Sequence, residues 1–320
     1  MLRKYALFVG VAAIGALVTS CGGGGDGTPT PTDSGTATPT PTPTSSLVDF
    51  SLTEAFTSQS VNANATFAYF TADGSTDEFF NGAARLNGVS NVAFVDSPDS
   101  VTFGFPDLTN AVVFTASDFI GVTGTQRSYA RTDEKLTLDL PFAHVLQVSY
   151  ELTQDFTRGT TPGTLRGTRT AFFFNLVTTT TDITTDLTYT GGVQVVGGDP
   201  GVTASDAVTA TTSTFKINAA DDSIQGTIQI FEDVNGTPQL ATTLVFQRTT
   251  SSTGTVTGGV LNANGTFSGV LTDENNDISG NFAGALAGPN REELFIIFSA
   301  SGDENDADDR RYVGRFIGAR

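Results

Sequence analysis

This chain predicts an all-β protein, and three observations lead there. Phe and Gly are abundant and Trp is absent, with 25 Phe and 35 Gly in 320 residues, and Thr recurs throughout. Thr and Phe favour strands, whereas Gly weakens helices. No amphipathic helix longer than about two turns can be traced. From about Asp186 onward, short β-rich runs recur at hairpin spacing with Asn, Asp and Gly between them, as in antiparallel sandwiches and barrels. The expected order is a signal segment, a low-complexity linker, an irregular N-terminal β domain and a C-terminal eight-stranded antiparallel up-and-down β-barrel.

Residues 1–21 read as a signal peptide. Arg3 and Lys4 form a short basic start, and Tyr5–Val18 is an apolar run of 14 residues. That length suits a signal segment and is short for a spanning helix, which needs about 20 apolar residues. A spanning anchor ending at Val18 is the competing reading. Val18-Thr19-Ser20-Cys21 places small or β-branched residues before the only cysteine of the chain. It resembles the lipobox of bacterial lipoproteins, which implies diacylglycerol on the Cys21 thiol and cleavage just before it. A buried free cysteine is the other option, but the Gly run after Cys21 offers it no core. In Gram-negative lipoproteins an Asp after the cysteine usually retains the protein in the inner membrane. Residue 22 is Gly, so the resemblance implies the outer membrane, with surface or periplasmic orientation left open.

Gly22–Ser46 holds Pro-Thr repeats at Thr28–Thr32 and Thr38–Thr44. Such a segment has no apolar content with which to offset its ordering entropy, so a disordered, partly polyproline II linker is expected. Fully extended, its 25 residues reach roughly 75 Å, enough to lift a folded body off a membrane.

Residues 47–185 are expected to form a β domain with irregular strands. Thr66–Phe70, Val112–Phe114, Leu136–Leu140, Leu146–Leu152 and Arg169–Leu176 carry the strand signal, with long polar loops such as Thr153–Thr168 between them.

Residues 186–320 are regular. The candidate strands are Leu187–Val196, Val208–Ile217, Ser223–Phe231, Leu240–Gln247, Thr255–Leu261, Gly265–Leu271, Ser279–Leu286, Glu292–Ser301 and Arg311–Ile317. Val234-Asn235-Gly236, Asn262–Gly265 and Asp273–Asp277 are turn chemistry, because Asn, Asp and Gly tolerate positive φ. Eight or nine such strands close into a barrel that side chains can fill. Thr, Ser, Gln and Gly dominate one face of these strands, unlike the apolar outer band of a transmembrane barrel. Leu294–Phe298 is apolar on both faces, so it should be buried inside the barrel and also against the N-terminal domain.

Several motifs here resemble the barrel domains of the transferrin-binding protein B family of surface lipoproteins. They are Gly280-Asn-Phe-Ala-Gly284, Gly288-Pro-Asn-Arg-Glu-Glu-Leu294, Phe298-Ser-Ala300 and the terminal Gly314-Arg-Phe-Ile-Gly-Ala-Arg320. Gly265-Thr-Phe-Ser-Gly269 repeats the first motif, and Leu187-Thr-Tyr-Thr-Gly-Gly192 is similar to the entry of such barrels. Phe295 and Ile296 stand where the family usually has Gly-Gly, Arg291 where it often has Ala, and only one handle-plus-barrel unit fits this length. The resemblance implies a handle domain beside the barrel, a protein or small-solute ligand such as an iron or haem source, and an outer-membrane translocator or receptor as partner. The alternative is a structural or adhesive surface lipoprotein with no nutrient ligand.

Composition and the sparse chemistry narrow the classes. Net charge is −18, which opposes nucleic acid and adhesion to anionic lipid. His144 is the only histidine; with no second imidazole or thiol in the body, zinc is not expected, nor any other metal or cofactor. No Gly-x-Ser-x-Gly elbow accompanies it, so no catalytic residue is expected and the chain is read as a non-enzyme. Asp303–Asp309 is the densest acidic run but lacks the Gly and Glu spacing of a calcium loop. It reads as a solvated hairpin tip, as does Asp273–Asp277.

Overall fold

Residues 50–198, 208–234, 236–273, 278–302 and 310–320 are described by the computed structural model. The signal segment with Cys21, the linker 22–46 and the acidic runs 274–277 and 303–309 lie outside the described residues.

The N-terminal part contains β1 (Phe56–Val61), β2 (Asn64–Ala72), β3 (Glu78–Leu86), β4 (Val89–Val95), β5 (Ser100–Gly104), β6 (Val112–Thr115), β7 (Phe119–Thr123), β8 (Gln126–Arg131), β9 (Glu134–Asp139), β10 (Val145–Arg158) and β11 (Thr161–Phe174). They form two sheets, ordered β1-β4-β5-β6 and β3-β2-β11-β10-β9-β8-β7. Phe94, Phe103, Phe114, Tyr129, Leu136, Leu146, Val148 and Phe173 belong to their common core. Along β11 the side chains alternate: Ala171 and Phe173 join this core, while Phe172 and Phe174 belong to another. The seven-stranded sheet is thus apolar on both faces at its centre, as expected of a layer covered on both sides.

Residues 153–168, expected as a polar loop, are the outer halves of β10 and β11. The two strands pair without a break from Val145↔Phe174 to Arg158↔Thr161. Apolar residues are sparse in this half, Phe156 and Leu165 standing alone among polar ones, so hydrophobic alternation did not mark it. It is carried by β-branched threonines and by Arg166, which donates to Glu151 of the adjacent β10 at 2.9 Å and, across β2, to Glu78 of β3 at 2.6 Å. Cross-strand charge pairs of this kind add modestly to sheet stability.

The C-terminal part is the predicted barrel. Its staves are β12 (Leu187–Gly198), β14 (Ser213–Ile217), β15 (Ile224–Val234), β16 (Thr237–Phe246), β19 (Thr266–Asp273), β20 (Ile278–Ala287), β21 (Glu293–Gly302) and β22 (Arg311–Ala319). Each pairs antiparallel with the next, and β12 closes on β22 from Thr190↔Ala319 to Gly198↔Arg311. Two further pieces lie beside this ring. The expected strand Val208–Ile217 is interrupted, its first part being the two-residue β13 (Thr209–Ala210) paired with the far half of β15. Thr255–Leu261 is not a stave either: β17 (Thr249–Thr250) and β18 (Val256–Gly258) make a separate two-stranded ribbon. The Ser-Ser-Thr-Gly turn at 251–254 folds this short polar segment back on itself before it can extend.

The barrel is filled. Phe215, Phe246, Phe267, Phe282, Phe298 and Phe316 share its interior with Ile, Leu and Tyr side chains. Their rings touch in series: Phe316 to Phe215 at 4.7 Å, Phe215 to Phe246 at 5.3 Å, and Phe246 to Phe282 and Phe298 at 5.3 and 5.5 Å. The outward side chains of β15, Gln225, Thr227 and Gln229, are exposed. An apolar lumen under a polar exterior is the reverse of a transmembrane barrel.

The two Gly-x-Phe-x-Gly motifs have a physical reason. On the adjacent strands β19 and β20, Phe267 pairs with Gly284 and Gly269 with Phe282. A Cβ on Gly284 would stand 2.5 Å from the Phe267 ring, and one on Gly269 would stand 2.8 Å from Phe282. Each ring therefore lies on the bare backbone of the other motif, an arrangement that restores the side-chain packing glycine lacks. Phe215 over Gly226 and Phe298 over Gly314 repeat it.

Asp273 is not part of a solvated tip. It is buried, accepting a hydrogen bond from the Ile278 amide at 3.1 Å and from the Thr242 hydroxyl at 3.4 Å. Removing an acceptor from a buried amide costs about 1–3 kcal/mol. Asp273→Ala should lower the free energy of unfolding by that amount, read as a lower denaturant midpoint, and an unchanged midpoint would restore the solvated reading.

Candidate functional site

Of the residues singled out from sequence, Cys21 and the run Asp303–Asp309 lie outside the described residues. His144 is placed just before β10, where the N-terminal sheets meet the barrel. Among the described residues no cluster of His, Cys, Asp or Glu is arranged to hold a metal.

The seam at this meeting is built by strand parity. On β21, Leu294, Ile296 and Phe298 point into the barrel core, and Phe295 and Ile297 point out. The outward pair packs with Val145, Phe172 and Phe174 of the handle sheet. Phe295 stacks on Phe172 with centroids 5.4 Å apart and ring planes at 17°, and touches Phe174 at 5.1 Å. Leu294–Phe298 is thus covered on both faces, as its doubly apolar sequence required.

Polar contacts fix the rim of the seam. Glu293 is buried and accepts the His144 amide on both carboxylate oxygens at 3.0 Å. The connector after β11 is held by the Gly288–Arg291 turn of the family-like motif. Gly288 donates to the Asn175 carbonyl at 3.0 Å, Pro289 accepts the Thr178 and Thr179 amides at 3.2 and 3.0 Å, and the Arg291 guanidinium reaches the Thr181 carbonyl at 2.6 Å. Gly288 has φ +84°, and a Cβ there would meet His144 at 2.5 Å. That position therefore requires glycine for both its conformation and its space.

Burial raises the Glu293 carboxyl above its ordinary value of 4.5, opposed by the His144, Ala143 and Val145 groups around it. Between 4.5 and the raised value the folded protein binds more protons than the unfolded chain, so this group's contribution falls as pH rises through that window. Glu293→Gln removes the titration. Melting curves across about pH 4 to 8 should show a steeper loss in the wild type than in the variant, and parallel curves would contradict the assignment.

One part of the seam is not closed. A cleft of about 60 Å³ remains between β2, β10 and β11 on one side and β12, β21 and β22 on the other. Ala65, Phe67, Phe172, Val196, Ile297 and Val313 give it apolar walls, and Gln147, Thr170, Gln194 and Arg315 give it polar ones. Arg315 donates through Nε to the side-chain Oε1 of Gln194 at 3.1 Å. None of the ion pairs among the described residues includes it. Burial pushes its guanidinium down to about 10, against the field of Asp139. It remains charged at neutral pH, with Asp139 as a nearby opposite charge but no direct ion pair. Gln147 bonds Ser149 through Nε2 at 3.0 Å, while its Oε1 is buried without a partner. Ser60, Arg85 and Asn175 each leave one buried side-chain polar atom without a partner as well.

Sequence reading missed this cleft, although one signal was there. On β22, Val313, Arg315 and Ile317 share one parity, so a charge interrupts an apolar stripe. The residue was noted only within the terminal motif.

No family model matches the chain. No curated protein matches it either. Among solved structures it is similar to the isotype 1 transferrin-binding protein B of serogroup B Neisseria meningitidis, at 11% identity and a TM-score of 0.40, covering 80% of this chain and 43% of that one. It is also similar to a tryptophan-to-alanine mutant of transferrin-binding protein B from Haemophilus parasuis Hp5, at 11% identity and a TM-score of 0.36, covering 78% of this chain and 60% of that one. The chain therefore spans less than two thirds of the length of either.

Proposed function

We propose that the protein is an outer-membrane lipoprotein, acylated at Cys21, that holds a protein or small solute on the outside of a handle-and-barrel body. The order of the N-terminal features carries this reading: a basic start, 14 apolar residues, Val18-Thr-Ser-Cys21 and a Pro-Thr tether. Two chains on one thiol suffice for stable membrane anchoring. The working division is linker 22–46, handle 47–185 and barrel 186–320. The packed lumen supports the second half of the reading, because phenylalanine rings occupy the space where an open barrel would hold a ligand. Binding then falls to loops, rims and the seam.

Capture from growth medium on the immobilised full chain tests this, with heat-denatured chain as control. Specific recovery of a protein or solute supports the reading. Recovery of nothing from the native chain, with the protein still on the cell surface, supports the structural or adhesive alternative.

A further inference from the structure

We propose that the cleft at the seam is a binding site for the carboxylate of a short-chain monocarboxylic acid, with Arg315 as its counterion. Three observations converge on it. Arg315 carries a half-buried charge with no ion-pair partner among the described residues, in a chain of net charge −18. Its planar fork matches a carboxylate, and charge-assisted bonds of this kind are roughly twice as strong as neutral ones. The facing walls are apolar, from Phe67, Phe172 and Ile297, which suits an alkyl tail. At about 10–15 Å³ for each water-sized group, a space of 60 Å³ admits a ligand of about four to six heavy atoms.

The same inventory selects against other anions. A phosphate or sulfate dianion needs more positive charge than one guanidinium supplies, and it would bring no apolar surface to the phenylalanines.

The proposal rests on reading the protein as a binding protein, and its test can fail separately from that reading. Saturation-transfer NMR on the purified full chain, with butyrate as the probe, is expected to show saturable binding. Butyramide, which has the same shape without the charge, is expected to bind at least tenfold more weakly. Arg315→Gln should weaken butyrate at least tenfold. Ala65→Leu, which fills the cleft from β2 and leaves Arg315 in place, should abolish binding and decides the matter if the arginine variant does not fold. No saturation by butyrate up to about 10 mM, equal affinity for butyramide, or undiminished binding to either folded variant overturns the proposal. Butyrate failure with Cys21-dependent surface display and ligand capture intact sinks this proposal alone. Loss of display and capture with butyrate binding intact sinks the lipoprotein reading alone.

Discussion

Replacing Phe298 by Ala is expected to destabilise the protein by about 3–5 kcal/mol. The side chain is fully buried at the middle of the barrel. Its ring packs edge-on to Phe246 at 5.5 Å and lies over Gly314, where a Cβ would approach it to 2.4 Å. Removing the ring loses its burial, worth about 1.5–3 kcal/mol, and leaves a cavity over bare backbone. Gly314 has no side chain to move into that space, and β21 is fixed by handle contacts on its other face. Relaxation is therefore limited, and the cost falls near the upper end for such truncations. Chemical denaturation of the two proteins reads the difference directly, and an unchanged midpoint would mean that the barrel core is not packed as described.

The second large effect is expected at the opposite end of the chain. Cys21→Ala should block processing and abolish incorporation of radioactive fatty acid. Cys21 is the only thiol in the chain, so no other cysteine can take the lipid. Anchoring energy scales at about 0.8 kcal/mol per buried methylene, which a body with net charge −18 cannot replace by attraction to anionic lipid. Undiminished labelling of the variant would show that the lipid, if any, is elsewhere.

The barrel was legible because its strands obey period two and its turns carry Asn, Asp and Gly. Seven of its staves coincide with apolar runs read from sequence, and the eighth, β14, is the latter half of another such run. The double burial of Leu294–Phe298 was legible for the same reason, since five consecutive apolar residues leave no polar face. The handle was much less visible. β7 and β8 alternate poorly, with Ile120 and Val122 exposed and Arg127 lying over the Phe119 ring at 4.4 Å. Edge strands with bulges escape a pattern test because neither face is cleanly apolar. The outer half of the β10–β11 hairpin escaped because charge pairs and threonines outnumber its few apolar residues, Phe156 and Leu165. Asp273 was misread because an acidic residue beside Glu, Asn and Asp looks solvated, whereas its burial depends on Thr242 from a strand far away in sequence. The cleft could not be read at all from one chain segment. It exists only where Arg315 of the last strand comes against Gln147 and Phe172 of the handle.

The central claim is that this body is tethered by lipid at Cys21, and one measurement tests it most directly. Mass spectrometry of the N-terminal peptide from protein extracted out of membranes should find a chain that begins at Cys21 and carries acyl groups on it. A peptide that still contains Met1–Ser20, with the Cys21 thiol unmodified, would contradict the account.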